Sequence, residues 1–179
     1  MNTRIYIICG PNGSGKSIVV EYLREKYDAK VFRPSDIART FLEEFDIPVT
    51  RTHLSRMMWL LRRELTSTVF IPPALQFLSE NRDAICIFDG IRKVHFIEAI
   101  KKEWATIISI ESHPDIRYAR IQNRGEKEDE DDMSYDDFLR DESLESESDM
   151  WAIRDMADII VDNSGTKEEL YRVLNHSLL

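Results

Sequence analysis

Short runs of β-branched and aliphatic residues alternate along the chain with stretches whose apolar positions recur at helical spacing. "RIYIIC" (4–9), "KVFR" (30–33), "AICIF" (84–88), "ATIISIE" (105–111) and "ADIIVDN" (157–163) are apolar in continuous runs rather than at every second position. That pattern predicts strands buried on both faces. Between and after them, "SIVVEYLREKY" (17–27), "HFIEAIKK" (95–102), "DIRYARIQNR" (115–124) and "TKEELYRVLNHSL" (166–178) read as helices, the last with a cap signal at Thr166. Strands of this kind separated by helices predict an α/β fold, a five-stranded parallel sheet with helices on both faces.

Two stretches break the rhythm. Residues 35–81 hold two or three helices, interrupted near "IPV" (47–49) and "IPP" (71–73), with no strand between them. Residues 125–156 start at Gly125, are acidic and are otherwise helical. Helical insertions at two such points in a parallel core predict flaps over a site. With 179 residues and 42% hydrophobic content, the chain is expected to be one soluble domain.

Charge changes this picture once it is mapped. The formal net charge is −9, yet residues 126–149 alone hold 13 of the 33 acidic and 2 of the 24 basic residues. The body is therefore mildly basic, and the acidity belongs to one segment. The sequence contains no basic tract with aromatic interleaving, which argues against nucleic acid as a partner. No apolar run approaches the roughly 20 residues that span a bilayer. Because strand 4–9 runs straight into a motif, no signal peptide is expected before it. Cys9 and Cys86 each sit in an Ile-rich run and read as reduced core residues. Together these features predict a cytoplasmic protein, a monomer or a dimer.

The chemistry begins at "GPNGSGKS", residues 10–17, which meets the pattern G-x-x-x-x-G-K-[ST] after a strand and at the opening of a helix. Glycines at 10, 13 and 15 let the backbone curl until successive N–H groups converge on an anion, reinforced by the helix N-terminus. Lys16 is expected on the β- and γ-phosphates and Ser17 on Mg²⁺. The nucleotide site then comprises Gly10, Pro11, Asn12, Gly13, Ser14, Gly15, Lys16, Ser17 and Ile18, with ATP and Mg²⁺ as cofactors. ABC transporter ATPases share such a loop but carry a Leu-Ser-Gly-Gly-Gln signature, and small GTPases carry Asn-Lys-x-Asp; both are missing here. Asp89, at the end of "ICIFD", lies where a parallel strand delivers its last side chain to the ligand crevice. It is read either as a Mg²⁺ partner through water or as the N-cap of the following helix.

These segments, with "SDIAR" (35–39), "DGIR" (89–92), "RIQNR" (120–124) and "ADIIVDNSGTKEEL" (157–170), resemble the P-loop nucleoside monophosphate kinases and their relative dephospho-CoA kinase. The resemblance implies an acceptor site at Asp36, Arg39 and Arg92 and a lid opened by Arg120 and Arg124. It implies as well a loop through Asn163 and Gly165 that passes the adenine. It makes 35–81 the acceptor-binding insertion and 125–146 the lid. Two departures stand out. The lid segment "GEKEDEDDMSYDD" is almost purely acidic, and residues 50–80 match no one substrate class.

An arginine fork suits a phosphate, so Lys16, Asp89, Arg120, Arg124 and Arg140 form the expected catalytic set. For each arginine, a surface ion pair is the alternative. Arg51, His53, Arg56, Arg62 and Arg63 decorate an apolar helix and read first as its solvated basic face, with Arg56 and Arg63, seven apart on one face, as a second acceptor clamp in the alternative. Met57, Met58 and Trp59 read as core or as lining of an acceptor pocket, and His95 and His113 have no metal-spaced partners. The expected activity is transfer of the γ-phosphate of ATP to a small nucleotide-like acceptor, a nucleoside monophosphate. A dephospho-CoA kinase-like transfer to a hydroxyl is one alternative. A non-metabolic ATPase that switches a protein or RNA partner is another.

Overall fold

A computed structural model describes residues 4–123, 134–145 and 149–178. Five strands, β1 (Arg4–Cys9), β2 (Lys30–Phe32), β3 (Ile85–Asp89), β4 (Thr106–Glu111) and β5 (Ile159–Asp162), form one sheet in the order β2-β3-β1-β4-β5. Every pairing is parallel. All five fall on the runs singled out by hydrophobicity, within two residues at each end.

Period-2 alternation within β1 distributes its side chains to two cores. Ile5, Ile7 and Cys9 enter one cluster, with α4 (Ile71–Glu80), α5 (Val94–Lys101) and α8 (Asp149–Asp155) packed on that face. Tyr6 and Ile8 enter the other, under α1 (Lys16–Tyr27) and α9 (Lys167–Ser177). β3 divides in the same way, Cys86 and Phe88 to the first cluster and Ile87 to the second. Cys9 and Cys86 are both free and buried, as expected.

The interrupted stretch after β2 holds three helices, α2 (Pro34–Glu44), α3 (Arg51–Glu64) and α4. "IPV" separates the first two, whereas "IPP" starts α4, with proline in the first turn where a missing N–H costs nothing. Thr50 caps α3 by accepting from the His53 N–H at 3.1 Å. α6 (Pro114–Gln122) follows β4, and α7 (Tyr135–Glu145) lies against it through Phe138, which is buried beside Tyr118 and Tyr135. The expected lid 125–146 is thus described only at 134–145. Trp59 is 55% exposed with Arg63 over its ring, so it lines no core; Met58 does pack against the first cluster. Among the described residues, no helix is long and apolar enough to cross a membrane.

Candidate functional site

The register places the strand ends side by side. Ile8 of β1 pairs with Asp89 of β3, Cys9 with Ser109 of β4, and Glu111 of β4 with Asp162 of β5. The glycine loop therefore leaves the central strand at the carboxyl edge of the sheet, where crossovers run to both sides and ligands of such folds collect.

The loop's glycines are required by neighbours as much as by its own turn. Gly10 has φ +137° and Gly15 φ +94°, and a β-carbon on them would collide with the Ile110 carbonyl and the Asn163 side-chain amide. At Gly13, φ +74°, it would lie 2.7 Å from the Arg117 carbonyl oxygen. Three separate elements, the end of β4, helix α6 and the loop after β5, thus press directly on residues 10–15. Asn163, 3% exposed, completes the clamp by donating from Nδ2 to the Ser14 carbonyl at 2.8 Å. The resemblance put Asn163 by the adenine; the structure shows its side chain pinning the phosphate loop. Asn12 Oδ1 accepts from the Gly13 N–H at 3.1 Å. The Ser14 hydroxyl is buried and has no hydrogen-bond partner.

Lys16 opens α1, and its ammonium donates to the carbonyls of Gly10 (2.8 Å) and Pro11 (2.7 Å). A cation is thereby held across the mouth of the loop, beside the N–H groups of the first turn of α1. Ser17 is exposed on that turn, and Ile18 packs into the second core. The arrangement fits a polyphosphate: strained glycines with no room for side chains, a lysine at the rim and a helix N-terminus behind.

The other expected residues divide. Asp89 accepts from Arg33 Nε at 2.8 Å, in a pair whose carboxylate is the less exposed partner. Arg33, the N-cap of α2, escaped sequence reasoning because it reads as the last residue of an apolar run. Its position after β2 mirrors that of Asp89 in β3. Asp36 is exposed, and with Arg33, Glu21, Phe77 and Asn81 it lines a cleft of about 620 Å³ beside the edge strand β2. Arg39 is exposed on α2, and Arg92 is exposed beyond β3. Arg120 donates to the Ser112 hydroxyl (3.2 Å) and the Asn163 carbonyl (2.8 Å), tying α6 to the loop that holds Ser14. Arg140 is exposed and pairs with Asp137 in its own helix, the surface ion pair weighed as its alternative. Arg124 lies outside the described residues. Gly165 sits where a β-carbon would meet the Glu169 side chain.

Arg117 is the second residue that motif reading passed over. It is 4% exposed, donates to the carbonyls of Ser112 (2.9 Å) and Asn12 (3.4 Å), and lies over the Phe138 ring at 5.4 Å. It joins the phosphate loop to α7. Its position three residues before Arg120 on the same helix was the available signal.

Arg62, read from the sequence as part of the solvated basic face of α3, is instead partly buried against the first core. Its guanidinium lies over the Phe70 ring at 5.3 Å, and its Nε is buried without a hydrogen-bond partner. Burial, and then the charge of Arg92, push its pKa below the ordinary value. A sealed, unpaired donor costs about 1–3 kcal/mol.

Among the described residues, no group of three His, Cys, Asp or Glu side chains could hold a metal ion. Mg²⁺ needs no such cage, since one or two protein ligands plus nucleotide phosphates suffice. The Ser17 hydroxyl beside the loop and the Asp89 carboxylate on the adjoining strand fit that sparse requirement.

Comparison with known proteins agrees with the fold. Residues 7–148 match the family AAA_18, described as an AAA domain. A UPF0200 protein of Sulfurisphaera tokodaii is 30% identical over 169 residues, covering 93% of this chain and 90% of the relative. Among solved structures, TT1252 from Thermus thermophilus superposes with a TM-score of 0.64 at 22% identity, covering 99% of this chain and 97% of that one. A gluconokinase from Sinorhizobium meliloti does so with a TM-score of 0.51 at 15% identity, covering 94% and 87%. The chain therefore belongs to the AAA-domain family AAA_18, and within its P-loop, kinase-like fold to the UPF0200 proteins.

Proposed function

We propose that the protein is an ATP- and Mg²⁺-dependent phosphotransferase that moves the γ-phosphate of ATP to a small nucleotide-like acceptor, a nucleoside monophosphate. The observation that carries this reading is the glycine loop packed against three other elements at the carboxyl edge of the sheet, the edge from which β2 leads into a helical insertion rich in arginine. Phosphoryl transfer asks a protein chiefly for positioning and charge neutralisation, and these are what the site offers.

The N–H groups of residues 13–17 cradle the β- and γ-phosphates, and the Lys16 ammonium shifts from the loop carbonyls to the phosphate oxygens. Ser17 and, through water, Asp89 would hold Mg²⁺, which would supply charge neutralisation on the phosphates. Arg33, donating from Nε to the Asp89 carboxylate, keeps that carboxylate aimed. Residues 35–81 form the acceptor-binding insertion, with Asp36, Arg39 and Arg92 toward the acceptor. α7 belongs to the lid (125–146) that closes over the nucleotide and excludes water. An acceptor phosphate oxygen forms the new bond to the γ-phosphorus as the bond to the β,γ-bridging oxygen breaks. A phosphate with a second pKa near 6 is largely dianionic at pH 7 and needs no base. The free, buried thiols of Cys9 and Cys86 suit a reducing compartment, and we place the activity in the cytoplasm, in a monomer or dimer.

A second reading, transfer to a hydroxyl as in dephospho-CoA kinases, is favoured by one observation: Asp36 is an exposed carboxylate in a cleft and can accept a proton. That the fold is shared with a gluconokinase is compatible with it.

A screen of nucleoside monophosphates, dephospho-CoA and gluconate as acceptors, with ATP consumption and product measured together, tests the function. ATP alone is expected to turn over slowly and the right acceptor to accelerate it with stoichiometric phosphorylated product, while Lys16→Ala abolishes transfer in a folded protein. Asp36→Asn then separates the two readings. With a phosphate acceptor, kcat falls less than about tenfold; with a hydroxyl acceptor it falls roughly 10²–10⁴-fold, the worth of a general base. Hydrolysis that no small acceptor changes, but that a protein or RNA stimulates, would identify an ATPase switch instead.

A further inference from the structure

We propose that the outer faces of α2 and α3 form a self-complementary surface on which a second copy of this chain docks across a two-fold axis. The inference is independent of the kinase reading, because it concerns the outside of the helical insertion and not the phosphate loop.

Six of the twelve large apolar side chains that stand exposed among the described residues fall between positions 37 and 65. Half of the exposed apolar surface residues thus belong to one short stretch. On α2 they make a stripe of Ile37, Phe41 and the C-cap residue Phe45, at the four-residue spacing that keeps side chains on one side of a helix. The Phe41 and Phe45 rings stack on each other at 4.7 Å and are 41% and 62% exposed. On α3, Trp59 is 55% exposed, with the exposed Arg56 three residues before it and Arg63 four after it on the same face. Met58 and Leu61 turn the opposite side of α3 to the first core. An aromatic side chain buries about 150–250 Å² when covered, so these three leave roughly 300 Å² of aromatic surface in water. Two helices that pack on each other and expose that much apolar surface mark an interaction face.

Charge decides what covers it. Residues 34–46 carry four acidic groups and one basic, and residues 51–64 four basic and one acidic, so their net charges are −3 and +3. Among the described residues no ion pair joins α2 to α3, and Glu43, Glu44 and Arg56 are exposed without a side-chain partner. The opposite charges are not neutralised within the chain. A two-fold operation brings α2 of one protomer to α3 of its partner and repeats the contact the other way round. Phe41 and Phe45, flanked by Glu44, then meet Trp59, flanked by Arg56 and Arg63, twice in one interface. Aromatic residues and arginine are what interface centres favour. A membrane surface fits less well, because anionic headgroups oppose Glu43 and Glu44. A small ligand needs a concavity, and none of the three rings lines the cleft of about 620 Å³ beside β2.

Sedimentation equilibrium of the full chain, without nucleotide, tests the docking. The wild type is expected at twice the mass of one chain in the micromolar range. Trp59→Ala and Phe45→Ala are each expected to raise the dissociation constant roughly tenfold or more. The double reversals Glu43→Arg with Glu44→Arg, and Arg56→Glu with Arg63→Glu, each set like charges face to face and should be monomeric. Mixing the two reversed proteins one to one restores opposite charges in both halves of the interface, so the mixture should dimerise where neither component does. The single alanine changes, at exposed positions, carry the test where a double reversal disturbs folding, which circular dichroism checks. A wild type that stays monomeric throughout the micromolar range overturns the proposal. So does a dimer whose dissociation constant is indifferent to Trp59→Ala, or a mixture of folded reversed proteins no more dimeric than its components. Assembly that grows past two chains also overturns it, since a closed two-fold contact forbids further growth.

Discussion

At the scale of the residue, the same amino acid at two positive-φ positions carries two different constraints. Gly10 needs its φ of +137° and also the space that a β-carbon would take from the Ile110 carbonyl, a backbone atom fixed within β4. Gly90, at φ +75°, has nothing within 4 Å of that position. Gly90→Ala should therefore cost only the left-handed strain, about 1–2 kcal/mol, and leave nucleotide affinity within about twofold. Gly10→Ala has to move either the loop or β4, and ATP binding should be lost. Calorimetric titration of Mg·ATP with a melting curve for each variant checks both; equal losses would show that backbone conformation alone, not the approach of β4, sets the need for glycine.

At the scale of the element, α9 shows a local device whose effect depends on pH. Glu169 accepts from the Thr166 N–H at 2.8 Å and from the Thr166 hydroxyl at 3.2 Å, while the Thr166 hydroxyl accepts from the Glu169 N–H at 3.2 Å. These bonds, the one from the Thr166 backbone first, hold the Glu169 carboxyl below its ordinary value of 4.5. A carboxylate with a lowered folded-state pKa stabilises above its unfolded value and loses that contribution as pH falls through the folded value. Glu169→Ala should thus lower Tm at neutral pH, with the gap from wild type constant down to about pH 5 and closing below 4.5. A gap that persists undiminished at pH 3 would mean that packing, not the charged cap, is what Glu169 supplies. Thr166 was legible as a cap from sequence because the device is local: three residues suffice to build it.

At the scale of the whole molecule, the phosphate loop and α7 meet through one buried side chain. Arg117 reaches Asn12 on one side and the Phe138 ring on the other, and Tyr135 donates to Asp115 at 2.5 Å to hold the same helix. If α7 excludes water when it docks, Phe138→Ala should raise idle ATP hydrolysis relative to acceptor phosphorylation while leaving the core intact. The full cost of a buried Phe→Ala change, about 3–5 kcal/mol, is an upper bound here, because α7 can release from α6 without unfolding the sheet. The ratio of ADP to phosphorylated product, with hydrogen exchange across 135–145, measures this. An unchanged ratio with faster exchange would separate docking of α7 from water exclusion.

By itself the sequence determined the strands, the helices on either face, the parallel sheet and the phosphate loop. Each rests on local information: continuous apolar runs, the helical period, and glycines at fixed spacing before Lys16. Tertiary structure alone decided which charged side chains share a site. Arg33 meets Asp89 across 56 positions of the chain, Asn163 meets Ser14 across 149, and Arg117 meets Asn12 across 105. The choice between Arg62 and Arg63, adjacent in sequence, follows from the 100° that an α-helix turns per residue and from where α3 rests on the core. A guanidinium has the same chemistry in water and against Phe70; what differs is desolvation and the charge opposite, and neither is written in the order of residues.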